Sequence, residues 1–318
     1  MNIIQKLLQK LDTFQRKHQG FGFIYAVIKK YGDDEAGHQA ALLTYYGFLS
    51  LFPLLLVLTT VAGMLAGGHP HLRETILNGT TQYFPTLGSQ LSEHIGTLHK
   101  TGLALVIGIL FTLYGARGIA DAFRYGVNHI WHVPKVKRFS FPVSVARSLA
   151  IVLVGGAGFI FASLLSGYAA GAGRGIAFGL LSIAINFIVL FWVFLLLIKF
   201  SLPVHVTFRD IDVGAAAAAI GLVILQSVGA YVLTHQIKNL SALYSNFAIP
   251  LGLLFWIYLQ SQMLYYAMEV ASVRAKGLWP RSLTGHDLTD ADRLVYARQA
   301  KKERMVPEEA VTAEFKES

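Results

Sequence analysis

Charged side chains set inside otherwise apolar stretches are the groups of this chain best placed to do chemistry. Arg117 and Asp121 stand at i,i+4 spacing, which brings a cation and a carboxylate together on one helical face. Glu269 closes a different apolar stretch, shortly before Arg274. An ionisable group at membrane depth is costly to bury, so it marks a functional candidate that usually has a partner. If the two stretches run in opposite directions, Arg117 and Glu269 reach similar depth. An interhelical pair then competes with local pairing and with snorkelling to the interface. A second set, Asn186, Gln226, Tyr258 and Gln260, lies near the middle of apolar stretches. Such groups either bridge helices or face a wet cavity, and a cavity among these stretches is one expectation. A third set surrounds Pro53, which cannot donate to the carbonyl of Leu49 and predicts a kink. Ser50 is near enough to serve the freed backbone, and Tyr45 lies one turn further back. The kink reads either as a hinge beside a cavity or as ordinary packing.

Catalytic patterns are absent. The chain has no cysteine, so it offers no thiol nucleophile, disulfide or thiolate metal site. There is no GxSxG, GxxxxGK[ST] or HExxH, and no carboxylate cluster able to hold a catalytic metal. His69, His71, His94 and His99 lack a carboxylate or cysteine at ligand spacing and read as solvated. His129 and His132 bracket Trp131 at an expected membrane boundary, where aromatic anchoring accounts for them. These residues predict no catalytic site, no cofactor and no metal.

The elements that must position the polar groups are six apolar stretches, 39–68, 101–120, 147–173, 175–198, 213–234 and 247–268. A helix needs roughly 20 residues to cross about 30 Å of hydrocarbon, and each stretch reaches that length. Continuous apolar runs without in/out alternation exclude a transmembrane barrel. The fold expected is an all-α membrane protein: a six-transmembrane-helix bundle with an amphipathic amino-terminal interfacial helix and a small extracytoplasmic helical cap. Composition agrees, at 54% hydrophobic and 14% charged residues, with a mean hydropathy of +0.51.

Three segments follow from this pattern: a leader over 1–35, a membrane domain over 36–274 and a charged tail over 275–318. The leader places Ile3, Ile4, Leu7, Leu8, Leu11 and Phe14 at helical spacing, opposite Lys6, Lys10, Arg16 and Lys17. It reads equally as an interfacial helix on anionic lipid or as packing beneath the bundle. No cleavable signal peptide is expected from its charged, amphipathic pattern. Asp33, Asp34 and Glu35 precede the first span, where acids favour a helix amino terminus. The segment 69–100 carries Leu87, Leu91, Ile95 and Leu98 at helical spacing and reads as the cap. Gly214, Ala218 and Gly221, and separately Gly167, Gly171 and Gly175, are spaced for close helix approach. In the tail, Thr289 and Asp292 form a capping-box spacing before a helix predicted over 290–304, with a disordered remainder.

A formal charge of +9 suggests a nucleic-acid binder until the basic residues are placed. Of 27 Lys and Arg, all but Arg73, Lys100, Arg174 and Lys238 fall on the face shared by both termini. The positive-inside rule then puts both termini in the cytoplasm, and the basic charge is a topology signal. Membrane lipids, and not nucleic acid, are the partners this implies.

Four segments together resemble the YihY/BrkB family of bacterial inner-membrane proteins. The first is Ala41-Leu42-Leu43-Thr44-Tyr45-Tyr46 with Leu49-Ser50-Leu51-Phe52-Pro53-Leu54. The second runs over 114–133 and includes Asn128 and Trp131. The third is Phe208-Arg209-Asp210 leading to Gly214-Ala215. The fourth is Leu254-Phe255-Trp256-Ile257-Tyr258, with Glu269 further on. The sequence departs from the family pattern at Phe208, at Tyr244-Ser245 and at Ala267-Met268.

The resemblance implies six helices with both ends inside, in the bacterial inner membrane. Members were once labelled as a tRNA-processing ribonuclease, a label the residues here do not support. Relatives are associated with envelope integrity and lipid or lipopolysaccharide export. The function expected on that likeness is transport or translocation of a lipid-like envelope molecule, by a protein that is not an enzyme. The alternatives are an envelope scaffold that recruits a protein partner, and, less favoured, a membrane enzyme using Glu269 or Asp210 as a base. The sequence does not give the oligomeric state.

Overall fold

The structure, a computed structural model, describes residues 3–66, 102–172, 176–203, 206–244, 248–285 and 287–315. Among the described residues the chain is helical, with no strand. The elements are α1 (Ile3–Lys17), α2 (Gln19–Asp33), α3 (Ala36–Ala66), α4 (Gly102–Ile130), a 3-10 turn (Lys135–Lys137), α5 (Val143–Ala172), α6 (Ile176–Ser201), α7 (Phe208–Tyr244), α8 (Ala248–Lys276) and α9 (Asp290–Lys302).

Three of these helices contain stretches long and apolar enough to cross a membrane: Val143–Ala162 in α5, Gly179–Ser201 in α6 and Phe208–Gly229 in α7. The other three predicted spans form helices of comparable length, with α3 at 31 residues and α4 and α8 at 29 each. At about 1.5 Å per residue each exceeds the roughly 30 Å of a hydrocarbon core. Helix α3 carries no Asp, Glu, Lys or Arg, whereas α4 carries Arg117, Asp121 and Arg124 and α8 carries Glu269, Arg274 and Lys276. Large apolar side chains cover the outside of the bundle, among them Leu110 and Phe111 on α4, Leu153 and Ile160 on α5, Leu180 and Trp192 on α6, and Ile220 and Ile224 on α7. An apolar exterior of that extent needs a nonaqueous surround. The predicted cap, with its histidines, lies outside the described residues.

Chain neighbours pack in order, α3 on α4, α5 on α6, α6 on α7 and α7 on α8, and α8 returns to touch α3, α4 and α2. Helix α8 is therefore the axis of the described bundle. Small residues let α7 approach it. A Cβ added at Gly214 would sit 2.5 Å from Ala271 Cβ and 2.9 Å from the Ala267 carbonyl oxygen, so this contact is closed to any larger residue. Gly221 faces Met263, Gly229 faces Trp256, and Ala218 is fully buried, as the small-residue spacing predicts. The surroundings of Gly167, Gly171 and Gly175 lie outside those described.

On the other side of the axis, Gly115 and Gly118 of α4 sit against Ser50 and Tyr46 of α3. Helix α3 passes through Pro53 without losing its helical assignment. Ser50 Oγ donates to the Gly47 carbonyl at 2.8 Å, so it does not serve the Leu49 carbonyl that proline leaves free. The Pro53 side chain itself is outside the described ones.

The helix ends beneath the bundle are built to a pattern. Helix α8 stops at Gly277 (φ 60), with the Leu278 amide donating to Val273 O and the Gly277 amide to Arg274 O. That paired 6→1 and 5→2 bonding is a Schellman cap, which needs the left-handed backbone glycine adopts freely. Helix α4 ends in the same motif, with Val133 N donating to Asn128 O and His132 N to His129 O. Here the left-handed position is His132 (φ 50), a side chain rarely found there, so something else must hold it.

Candidate functional site

Beneath the bundle, Lys30 of α2 uses all three donors of its ammonium group. Its Nζ lies 2.6 Å from Asp34 Oδ2 and 2.8 Å from Glu269 Oε2, and it donates to the Ile130 carbonyl at 2.8 Å. All three charged side chains have no exposure to solvent. The other oxygen of Asp34, Oδ1, lies 2.6 Å from His132 Nε2, and this contact holds His132 in its left-handed backbone. Nearby, Lys276 donates to the Trp131 carbonyl at 2.6 Å and sits 4.9 Å from the Trp131 ring centroid. Glu269 Oε1 and His132 Nδ1 are buried without a hydrogen-bond partner. The ends of α2, α4 and α8 are thus joined through one ammonium group.

The electrostatics follow from burial and pairing. Burial pushes Lys30 toward neutrality, but Glu269 and Asp34 outweigh it and raise its pKa. Burial opposes ionisation of Asp34, yet Lys30 and His132 hold its carboxyl well below the usual range. His132 is lowered to about 4, chiefly by burial and against the pull of Asp34, so it is neutral at physiological pH. Breaking a buried pair by removing one partner is far more costly than the pair's net contribution, which suits a register-setting role.

A second cluster clasps the leader to the tail. Asp292 of α9 receives Arg281 Nε at 2.5 Å, Lys29 Nζ at 2.9 Å and the Ser282 amide at 2.8 Å. The same carboxylate completes the capping box with Thr289, as the spacing predicts. Arg281 reaches on to Asp33 at 2.7 Å. Asp12 of α1 accepts the Leu283 amide at 2.8 Å, and Gln15 donates to the Arg281 carbonyl at 2.6 Å. Ala26, Val27, Val273, Leu278 and Val295 form a small apolar core between them. The leader therefore packs under the bundle on one face. On its other face Leu11, Phe14, Phe21, Ile24 and Ile28 remain exposed.

A cleft of about 320 Å³ opens beside this base, between α3, α4 and the loop after the 3-10 turn. Its lining mixes apolar and aromatic side chains, Leu42, Tyr46, Ala122, Tyr125 and Phe139, with the polar side chains Asp121, Arg124, Asn128 and Arg138. Asp121 accepts from Arg124 at 3.1 Å and from Ser148 Oγ at 2.5 Å, with Arg117 Nε at 3.5 Å. The Arg138 guanidinium lies 5.0 Å from the Tyr125 centroid, and Arg147 lies 4.4 Å from that of Phe139.

The structure settles where the sequence-selected residues go. Arg117 pairs locally with Asp121, whereas Glu269 pairs with Lys30, so the Arg117–Glu269 bridge does not form. Asn186 Nδ2 donates to Gln226 Oε1 at 3.0 Å, joining α6 to α7. That is the bridging alternative for these amides. Tyr45 is exposed and Ser50 buried, while Tyr258 and Gln260 are half-buried on α8, and Trp256 is fully buried there. Asn128 donates to Arg124 O at 2.7 Å and to Ser201 O at 2.9 Å, closing the end of α6. Asp210 accepts the Thr207 amide at 2.8 Å at the start of α7, and Arg209 is exposed. Three expectations are corrected. Trp131 is buried and is not a surface anchor; His132 and His129 contact Asp34 by side chain and backbone, respectively; and Lys276 belongs to the buried base, not to the tail. Sequence reasoning missed Lys30, although its i,i+4 spacing to Asp34 was a visible signal.

Comparison with known proteins supplies the family. The Virulence factor BrkB family matches residues 27–284. The chain belongs to this BrkB family. The match takes in Lys30, Asp34, His132, Glu269 and Arg281, and it leaves α1 and α9 outside. A UPF0761 membrane protein of Psychrobacter sp. (strain PRwf-1) is 26% identical over 280 residues, covering 84% of this chain and 51% of its own length. The chain thus spans about half the length of that relative. The inner membrane protein YhjD of Escherichia coli (strain K12) is 26% identical over 274 residues, covering 77% of this chain and 79% of its own. YfkH of Bacillus subtilis (strain 168), whose name calls it ribonuclease-like, is 25% identical over 271 residues, covering 80% of this chain and 95% of its own. No solved structure matches the chain. This BrkB-family chain is an integral membrane protein.

Proposed function

We propose that this protein is a multi-pass inner-membrane protein of six crossing helices that takes a lipid-like amphiphile at the cleft beside its base and helps move it between leaflets. The observation that carries the reading is a cleft lined by apolar and aromatic side chains together with two arginines, at the foot of helices whose outer surface is apolar. An amphiphile combines the same two chemistries. Six crossings are favoured because leader and tail meet at one end of the bundle, which needs an even number. The concentration of Lys and Arg on that face favours a cytoplasmic location for it, with 69–100 as an outer cap. The protein acts without chemistry of its own.

The test is transbilayer movement of fluorescent phospholipid in vesicles reconstituted with the full chain. Protein-dependent movement that Leu42→Trp suppresses, with the fold retained, supports the proposal. No movement with any lipid class overturns it. A second reading, a scaffold that recruits an envelope partner, is favoured by the direct Asn186–Gln226 bond, which ties α6 to α7, and by the clasped tail. Under it, α9 variants abolish partner recovery while lipid movement is absent in the parent protein.

A further inference from the structure

The cleft's lining carries more cationic charge than its neighbours neutralise. Asp121 is the one carboxylate among its lining residues, and it is already shared by Arg124, Ser148 and Arg117. Arg138 has no carboxylate partner among the described residues. Its Nε donates to the Val133 carbonyl at 3.3 Å and its plane lies over Tyr125. Arg147, which is not itself a lining residue, is likewise without a carboxylate among the described residues, and stacks on the lining residue Phe139. A guanidinium stacked on an aromatic ring is oriented in advance and keeps its remaining N–H groups for a planar or tetrahedral oxyanion. Two buried polar atoms on the lining residues are also unmatched: the donor Arg124 Nε and the acceptor Asn128 Oδ1, the latter on a side chain only 3% exposed.

We propose that this cleft is a headgroup site for an anionic phospholipid, with Arg138 and Arg124 as the phosphate-binding residues. The proposal rests on the amphiphile reading above and names its substrate class. Charge-assisted hydrogen bonds from arginine to phosphate are short, directional and stronger than neutral ones. A free phosphate would satisfy the arginines alone. A lipid is favoured because the lining residues Leu42 and Tyr125 are more than a third exposed, as are Tyr45 and Phe141 near them in sequence. Those surfaces fit the glycerol and the first methylenes of a chain, not water. The two lining arginines, against the single Asp121, favour an added anion and leave a zwitterionic headgroup, with its own cation, less well held.

The experiment uses the full chain in nanodiscs of phosphatidylcholine containing a minority of phosphatidylglycerol, with the retained lipid identified by native mass spectrometry after release. The parent protein retains phosphatidylglycerol over phosphatidylcholine, and Arg138→Gln lowers that preference roughly tenfold, the loss of one charge-assisted bond. Arg138→Lys, which keeps charge but not the planar stacking, falls between them. Arg209→Gln, at an exposed arginine away from the cleft, leaves the preference unchanged. Equal retention of the two lipids by the parent, or a preference untouched by Arg138→Gln and Arg124→Gln alike, overturns the assignment. Inorganic phosphate that binds the lipid-free protein in detergent through the same arginines, while phosphatidylglycerol shows no preference, overturns the lipid source. Lipid movement that persists without headgroup preference sinks this inference and spares the proposed function. An arginine-dependent preference with no movement does the reverse.

Discussion

Replacing Asp292 by alanine should open the clasp between leader and tail. That carboxylate is fully buried and serves two cations, Arg281 at 2.5 Å and Lys29 at 2.9 Å, besides the Ser282 amide and the Thr289 cap. Its pKa is held below the usual range: burial pushes it up, but Arg281, the Ser282 amide and Lys29 outweigh that. Removing one partner of a buried pair costs about 3–5 kcal/mol, because the remaining cations are left without a counter-ion. Loss of the capping interaction adds about 1 kcal/mol. Since about 1.4 kcal/mol is a tenfold change in an equilibrium, the open population should rise by at least two orders of magnitude. The assay is limited proteolysis with hydrogen exchange on the protein in detergent, read over residues 9–33 and 277–302. Both segments should lose protection together while α5, α6 and α7 keep theirs. Asp292→Asn, which retains the cap acceptor but not the charge, should lie between. Unchanged protection in Asp292→Ala would refute the clasp, and loss confined to the tail would refute its link to the leader.

Other outcomes follow from the same geometry. Gly214→Val places side-chain atoms into Ala271 and the Ala267 carbonyl, so it should separate α7 from α8 and cost about 1–3 kcal/mol, visible as a lower melting temperature in detergent. Gly156→Ala on α5 meets nothing within 4 Å and should gain about 0.5–1 kcal/mol from helix propensity in the same measurement. Lys276→Met removes the bond to the Trp131 carbonyl and should destabilise the base by about 1–3 kcal/mol, whereas Arg117→Gln, in a half-exposed pair, should cost less than about 1 kcal/mol. Acid should loosen the base in two stages. His132, lowered from 6.5 to about 4, binds its proton more weakly folded than unfolded, so stability falls by about 1.4 kcal/mol per pH unit from pH 6.5 toward 4. Asp34 and Asp292, both lowered, contribute stability above the ordinary carboxylate value of 3.8 that is lost as pH falls below it. A flat exchange profile between pH 7 and 4 would contradict the His132 assignment.

Much of the helical layout was legible because lipid forces a simple rule on apolar sequence. Each of the six apolar stretches coincides with a helix over its described residues, and the Thr289–Asp292 spacing gave the start of α9. The column of Gly214, Ala218 and Gly221 likewise announced a close contact, though not which helix would fill it. The site was far less legible. Lys30 finds Glu269 across 239 positions, and Gln15 finds the Arg281 carbonyl across 266. No periodicity or spacing encodes a partner at that separation. Glu269 could be chosen as exceptional because an acid ending an apolar helix stands out, but its cation sat in a leader full of lysines, where one buried lysine looks like any solvated one. His132 was misread for a similar reason. Beside a tryptophan it suggests an interface, and only its left-handed backbone and the Asp34 carboxylate reveal a helix cap held by a side chain.

The claim on which the account turns is that an amphiphile occupies the cleft at the foot of α3 and α4. The most direct measurement is labelling of the full chain in native membranes with a diazirine-bearing phospholipid, followed by peptide mapping. Labels are expected on Leu42, Tyr46, Tyr125 and Phe139, and an excess of unlabelled anionic lipid should suppress them. Labels confined to the outward apolar residues of α5, α6 and α7, with the cleft residues bare, would contradict it.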